Sequence, residues 1–254
     1  MSAYDIVLKS REKGRPTAVR YISEIVENFI ELHGDRRFAD DRAIIAGIGT
    51  ISGRPVTVIG IEKGEDTNGR IEHNFGCAHP EGYRKAVRLM KQAEKFHRPV
   101  LCFVDTSGAY CGIGAEERGQ SEAIASSILE MIRLKTPTLS VIIGEGGSGG
   151  ALGLCAADEV WIDENATYSV ISPEGCASIL WKDSAKVAEA SECLKLTADN
   201  LQKLGAVERV LPENGFGEEF FAKLKEDIAA FFAEKSQIPA ETLIEKRYER
   251  FRKF

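Results

Sequence analysis

Thr138-Leu139-Ser140-Val141-Ile142-Ile143-Gly144-Glu145-Gly146-Gly147-Ser148-Gly149-Gly150-Ala151 joins an apolar, β-branched run to a loop made mostly of glycine. The run, Thr138–Ile143, reads as a buried strand. The glycines open a short helix of small residues, Ala151–Ala157, which leads to another strand, Glu159–Ile162. The same scheme stands one unit upstream. There a helix over Glu81–Phe96 precedes a strand, Pro99–Val104, a glycine-bearing loop, Asp105–Gly114, and a helix over Ala115–Leu134. Downstream, Tyr168–Ile171 reads as a strand, and Ser172-Pro173-Glu174 has the order of a helix start, N-cap then proline. Strands alternating with helices imply parallel sheet. Glycine turns that become helix N-termini place unpaired N–H groups at one edge of that sheet, where open α/β sheets bind ligands.

Working outward, Ile44–Ile51 and Val56–Ile61 are β-rich, with Ser52-Gly53 as a hairpin signal between them. Thr17–Leu32 has the spacing of an amphipathic helix, with Val19, Ile22, Val26, Phe29 and Ile30 on one face. From Gly217 on, two more helices are expected, ending in a basic tip of Lys246, Arg247, Arg250, Arg252 and Lys253 that reads as a solvated face. No low-complexity linker divides the 254 residues. One domain is expected over 1–254: a helical lead over about 1–40, a core over about 41–212, and C-terminal helices over about 213–254.

The net charge of -6 gives no general attraction for nucleic acid or for an anionic membrane. No apolar run reaches the roughly 20 residues of a membrane helix, and the basic start of the chain lacks the apolar core of a signal peptide. The six cysteines show no C-x-x-C pair, so they read as reduced thiols filling a core in a cytoplasmic protein, with no metal bound. Glu116-Glu117 is explained by the helix dipole rather than by paired acid–base work. His79 before Pro80 reads as a helix-entry residue.

Three published patterns fit the glycine loop at once. Gly144-x-Gly146-x-x-Gly149 fits a dinucleotide fingerprint, but the helix that follows is too short for such a unit, so no nicotinamide is expected. Gly146-x-Ser148-x-Gly150 fits a nucleophile elbow, but all four histidines lie upstream of Ser148, against the chain order that chemistry uses. In the third reading Gly146 and Gly147 offer consecutive N–H groups to a developing oxyanion. A tight turn with glycines for close packing explains the same residues, and the loop by itself leaves both open.

Longer words tip the balance. Asn74-Phe75-Gly76, His79–Ala86, Gly114–Ile124, Gly144–Ala151 and Tyr168–Lys182 occur in this order and spacing. Together they resemble the carboxyltransferase α subunits of multi-subunit acetyl-CoA carboxylase, a likeness running from about Thr17 to the C-terminus. The resemblance implies an α/β crotonase (ClpP/crotonase-like) fold, a spiral of ββα units with flanking helices. It implies transfer of a carboxyl group from carboxybiotin to acetyl-CoA, giving malonyl-CoA for fatty-acid synthesis. The implied partners are a zinc-ribbon β subunit in an α2β2 assembly, a separate biotin carboxyl carrier protein and a biotin carboxylase. Catalysis would rest on stabilising oxyanions, each donor being worth on the order of 3 kcal/mol. Gly146 and Gly147 would hold the biotin oxyanion. Ser107, Gly108 and Ala109 would form the facing wall, with Ser148 beside it. Gly147→Val is then expected to slow transfer while leaving assembly intact.

The chain departs from the family pattern at Ser107 and Cys111, where prolines are usual, so a looser loop is expected there. Two other readings share the fold: a carboxyltransferase or decarboxylase acting on another acyl-CoA, and a stand-alone crotonase-type hydratase or isomerase. A non-enzymatic scaffold subunit is a third class.

Overall fold

The structure, a computed structural model, describes residues 1–254. Helix α1 (Ala3–Ser10) opens on a capping box in which Ser2 and Asp5 satisfy each other's backbone N–H. Helix α2 (Ala18–Ile25) is followed by strand β1 (Glu27–Glu31). The single helix expected over Thr17–Leu32 therefore stops halfway. Val26 turns extended and Asn28 takes a left-handed φ of 52°. The chain then pairs antiparallel with strand β2 (Ile44–Ile51). Sheet pairing overrides a helical periodicity that is real only as far as Ile25, so Ile30 is exposed and the lead over 1–40 is not wholly helical.

Strand β3 (Arg54–Ile61) returns antiparallel to β2 through Ser52-Gly53, both at positive φ, as a two-residue hairpin requires. Helices α3 (Thr67–Glu72) and α4 (Pro80–Lys95) lead to strand β4 (Val100–Thr106). The helix expected over Ala115–Leu134 is two helices, α5 (Ile113–Glu117) and α6 (Gln120–Arg133), because Gly119 between them sits at φ 82°. Strand β5 (Thr138–Gly147) runs four residues beyond its apolar stretch into the glycines, and helix α7 (Ser148–Cys155) starts at once. Then come strands β6 (Glu159–Asp163) and β7 (Thr167–Ser169), and helices α8 (Pro173–Leu180), α9 (Val187–Leu194) and α10 (Ala198–Leu204). Strand β8 (Arg209–Leu211) and helices α11 (Glu218–Lys235) and α12 (Ala240–Phe251) complete the chain.

One sheet has the order β1-β2-β3-β4-β5-β6-β8, parallel from β3 onward. It forks at β5. Leu139–Ile142 pair with β6, whereas Glu145–Gly147 pair with β7. Both faces are covered, and the period-two alternation of a strand divides its residues between two cores. Val100, Cys102 and Val104 pack toward α4, α6 and α7, whereas Leu101 and Phe103 pack toward α2 and α11. Strands buried on both faces read as continuous apolar runs, which is why β4 and β5 are plain in the sequence.

The basic tip is not a solvated face. Arg247 is 1% exposed. It pairs with Asp158 at 2.7 Å and donates to the carbonyls of Met131, Leu134 and Thr136. Arg250 is also buried, against Glu208 and the carbonyl of Ala206. Burial of two guanidiniums ties α12 to the N-terminal ends of β5 and β6, leaving Lys246, Arg252 and Lys253 in solvent. Among the thiols, Cys102, Cys155 and Cys176 fill core, but Cys111 and Cys193 are exposed. No helix is long and apolar enough to cross a membrane.

Candidate active site

The site forms where β3, β4 and β5 end side by side. β4 and β5 stay in step up to Val104 and Ile142, and then Thr106 pairs with Gly146. Two extra residues on β5 are taken up in that irregularity. The Asp105 carboxylate fills it, accepting the Glu145 N–H at 2.9 Å. A Cβ on Gly144 would lie 2.5 Å from that carboxylate, so only glycine fits beside it. Lys63, just past β3, completes the junction, with Nζ 3.1 Å from Asp105 Oδ1 and 2.7 Å from Glu145 Oε2. Arg11 approaches Glu145 from the opposite side at 2.7 Å and also pairs with Glu174 of α8. Burial works against the charge on Glu145, but Lys63 and Arg11 outweigh it and hold the carboxyl below its ordinary range. In the same way Asp105 and Glu145 outweigh burial at Lys63 and raise its pKa.

Beyond this junction the chain turns into α7. Gly147 is its N-cap, and Ser148 follows at a φ of 51°. That conformation costs a β-carbon-bearing residue on the order of 1–3 kcal/mol and is held here by its surroundings. The first N–H groups of a helix find no partner within it and carry the positive end of its dipole. Around the opening of α7, Gly147 and Gly149 are half-buried and Ser148 is exposed. The carbonyl end of α7 is anchored from behind by the hydroxyls of Ser127 on Gly153 and Ser140 on Leu154. Tyr83 of α4 donates to the Gly150 carbonyl at 3.1 Å.

Ser107, Gly108 and Ala109 lie directly against this turn. A Cβ on Gly147 would stand 2.9 Å from the Gly108 nitrogen and closer still to the Ser107 carbonyl; one on Gly150 would stand 2.5 Å from the Ala109 nitrogen. Backbone therefore packs on backbone, with no side chain between the loops. This corrects the expectation for Gly147→Val: its first carbon already displaces the Ser107 loop, so that variant does not isolate a blocked approach. Although the usual prolines are absent, Thr106 Oγ1 ties the loop, accepting the Gly108 N–H and donating to its carbonyl. Cys77 lies 3.6 Å from the Ser107 hydroxyl, and Asn74, Phe75 and Gly76 before it have three successive positive φ angles.

The predicted residues thus divide. Gly147, Ser148 and the loop Ser107–Ala109 come together at an open surface. Gly146 is buried within β5, paired with Thr106 on one side and Tyr168 on the other. Next to Ser148 and Gly149 a hollow of about 300 Å³ is lined by Leu152, Tyr168, Val170, Leu201 and Ala206. Lys63, Asp105, Glu145 and Arg11 were not singled out from sequence; the available signal was a charged residue just at or past the end of each of three neighbouring strands. Glu116 and Glu117 are exposed on α5, apart from this junction. Three of the four histidines are engaged: His33 by Asp40, His73 by the Arg42 carbonyl, and His79, beside the loop, by Asn74 and by stacking on Tyr110 at 4.0 Å. No group of three His, Cys, Asp or Glu side chains is placed to hold a metal ion.

The family described as acetyl co-enzyme A carboxylase carboxyltransferase-like matches residues 1–254. The chain belongs to this carboxyltransferase family. A relative from Ruminiclostridium cellulolyticum, named acetyl-coenzyme A carboxylase carboxyl transferase subunit alpha, is 59% identical over 258 residues, covering 100% of this chain and 98% of that protein. Among solved structures, transcarboxylase 12S superposes with a TM-score of 0.75 at 18% identity, over 92% of this chain and 44% of the other. A Pseudomonas malonate decarboxylase hetero-tetramer in complex with coenzyme A gives 0.69 at 15%, over 83% and 86%. At such identities the likeness speaks for the fold alone. Like these carboxyltransferases, the chain has the α/β crotonase fold, with a mixed sheet and flanking helices.

Proposed function

We propose that this chain is the α subunit of the carboxyltransferase of acetyl-CoA carboxylase, moving a carboxyl group from carboxybiotin to acetyl-CoA to give malonyl-CoA for fatty-acid synthesis. One observation carries the reading. Gly147 and Gly150 bring α7 into backbone contact with Ser107–Ala109, at a helix N-terminus where Ser148 is exposed and Gly147 and Gly149 are half-buried. Such an arrangement holds an oxyanion by N–H groups that need no reorganisation as charge develops. It uses no side-chain base, and His79, which stands beside the Ser107–Ala109 loop, is engaged by Asn74 and Tyr110.

The residues fit a biotin ring. N–H groups of Gly147 and the first turn of α7 would serve as donors to its ureido oxygen, and the hollow beside Leu152, Tyr168 and Val170 would offer an apolar wall. Carboxybiotin, delivered on a separate carrier protein loaded by a biotin carboxylase, supplies the activated carboxyl group. Gly147 and the first turn of α7 would stabilise negative charge on the ureido oxygen, with Gly146 holding the turn in place through its pairing with Thr106 and Tyr168, while Ser107, Gly108 and Ala109 would keep water from the opposite side, with Ser148 at the rim. A zinc-ribbon β subunit contributes most acyl-CoA contacts in an α2β2 assembly working in the cytoplasm, and this chain itself takes no metal.

The test is reverse transfer, malonyl-CoA plus biocytin giving acetyl-CoA. It is run with the chain alone and with a β subunit from the same organism. Turnover only with the partner is the expected result. Turnover by the chain alone would overturn the subunit reading, and inactivity of the pair on malonyl-CoA with turnover of another acyl-CoA would overturn the substrate.

A further inference from the structure

Lys63 has no role in the chemistry just proposed, yet it joins the two strand ends from which both glycine-bearing loops depart. Its side chain is 16% exposed, and those of Asp105 and Glu145 are 6% and 11% exposed. Asp105 immediately precedes Thr106-Ser107-Gly108, and Glu145 immediately precedes Gly146-Gly147. Two buried carboxylates on adjacent strands repel, and the repulsion is strong where water is scarce. Nζ of Lys63 sits between them and converts that repulsion into a link. A buried ion pair of this kind adds little to stability compared with a well-packed apolar replacement, so its use lies elsewhere. Here it sets a distance. The backbone contact of Gly147 with Ser107 and Gly108 leaves no slack.

We propose that Lys63, acting through Asp105 and Glu145, is a positioning residue that fixes the spacing between the Ser107–Ala109 loop and the Gly146–Gly147 turn. Arg11 steadies Glu145 from behind by pairing with both Glu145 and Glu174, which leaves Lys63 as the cation shared by the two strand ends. The consequence for catalysis rests on the oxyanion reading above; the consequence for the loops does not.

The experiment uses the chain assembled with its β partner and compares Lys63→Met, Lys63→Arg and the double variant Lys63→Met/Glu145→Gln. In reverse transfer, Lys63→Met should lower kcat by roughly 30- to 100-fold, since misplacement by about an ångström costs that order of rate. KM for malonyl-CoA should stay within about twofold, as expected when ground-state binding is untouched. Lys63→Arg, which keeps the cation, and the double variant, which removes the repulsion, should each recover about tenfold or more of that loss. In parallel, amide hydrogen exchange over residues 105–109 and 145–149 should quicken in Lys63→Met and not in α11. A kcat within about threefold of wild type, or a loss that neither Lys63→Arg nor the double variant relieves, overturns the proposal. If the wild-type complex transfers nothing, the functional reading has failed instead. The exchange then decides alone: faster opening confined to the two loops supports the positioning role, and unchanged exchange overturns it.

Discussion

The two ends of β5 are both closed by buried ions, and they are closed differently. At the N-terminal end Arg247 meets one carboxylate, Asp158, and spends its remaining donors on backbone carbonyls. Asp158 in turn accepts the Thr138 N–H and hydroxyl, so that group is saturated from all sides. At the C-terminal end two carboxylates share Lys63 across the strand ends, and positive φ angles gather nearby at Asn74, Phe75, Gly108 and Ser148. The first arrangement holds elements together. The second holds a geometry that the backbone alone would relax, which is what a site built from N–H groups needs.

The largest effect should come from breaking the saturated end. Arg247→Met leaves Asp158 buried without its cation and should cost about 3–5 kcal/mol in chemical denaturation. A loss under about 1 kcal/mol would mean that this end is not an anchor. At the other end Gly147→Ala should reduce carboxyl transfer on the order of a hundredfold and cost about 1–3 kcal/mol of stability, less than Arg247→Met, because its Cβ cannot fit without pushing the Ser107 loop. Turnover near wild type in the assembled complex would remove the distinction between the two ends.

A third buried group, at the end of β6, sharpens the comparison through pH. Asp163 is fully buried, and burial pushes its carboxyl up to about 8 even though Arg15 and the Tyr21 hydroxyl favour its charged form. Unfolded, it titrates near 3.8. Between those values the folded state holds a proton that the unfolded state has lost, so stability falls as pH rises and levels off above about 8. The slope is at most about 1.4 kcal/mol per pH unit. Asp163→Asn should flatten the decline in denaturation midpoint between neutral and mildly alkaline pH; an unchanged slope would assign it to another group. The smallest effect is expected far from both ends. Ser52→Asn in the hairpin, where φ is 49°, should stabilise by about 0.5 kcal/mol and leave transfer unchanged. Altered transfer in that variant would show that the hairpin is coupled to the site.

What sequence could reveal followed from period and punctuation. β4, β5 and the Ser52-Gly53 hairpin were legible because burial on both faces leaves uninterrupted apolar runs, and because a two-residue turn has few solutions. The passage from α2 to β1 was not, since Val26, Phe29 and Ile30 continue a helical spacing and only pairing with β2 decides otherwise. The basic tip misled for another reason: composition does not distinguish an arginine in water from one under a layer of carbonyls. In the site, the loops Ser107–Ala109 and Gly147–Ser148 were found from glycine content and family words. The link among Lys63, Asp105 and Glu145 spans 42 and 82 positions of sequence, and only the parallel stacking of strands brings it together.

Tyr83 lies under α7 with its ring against the α-carbons of Gly150 and Gly153, where added β-carbons would stand 3.1 Å from the hydroxyl and 3.0 Å from the ring. The two glycines are therefore held to different degrees. A lineage that shrinks the ring at 83 opens room for alanine at 153, whereas position 150 stays glycine because the backbone at Gly108 and Ala109 also bars a β-carbon there. Across relatives 83 and 153 should drift as a pair, and 150 should not move with them.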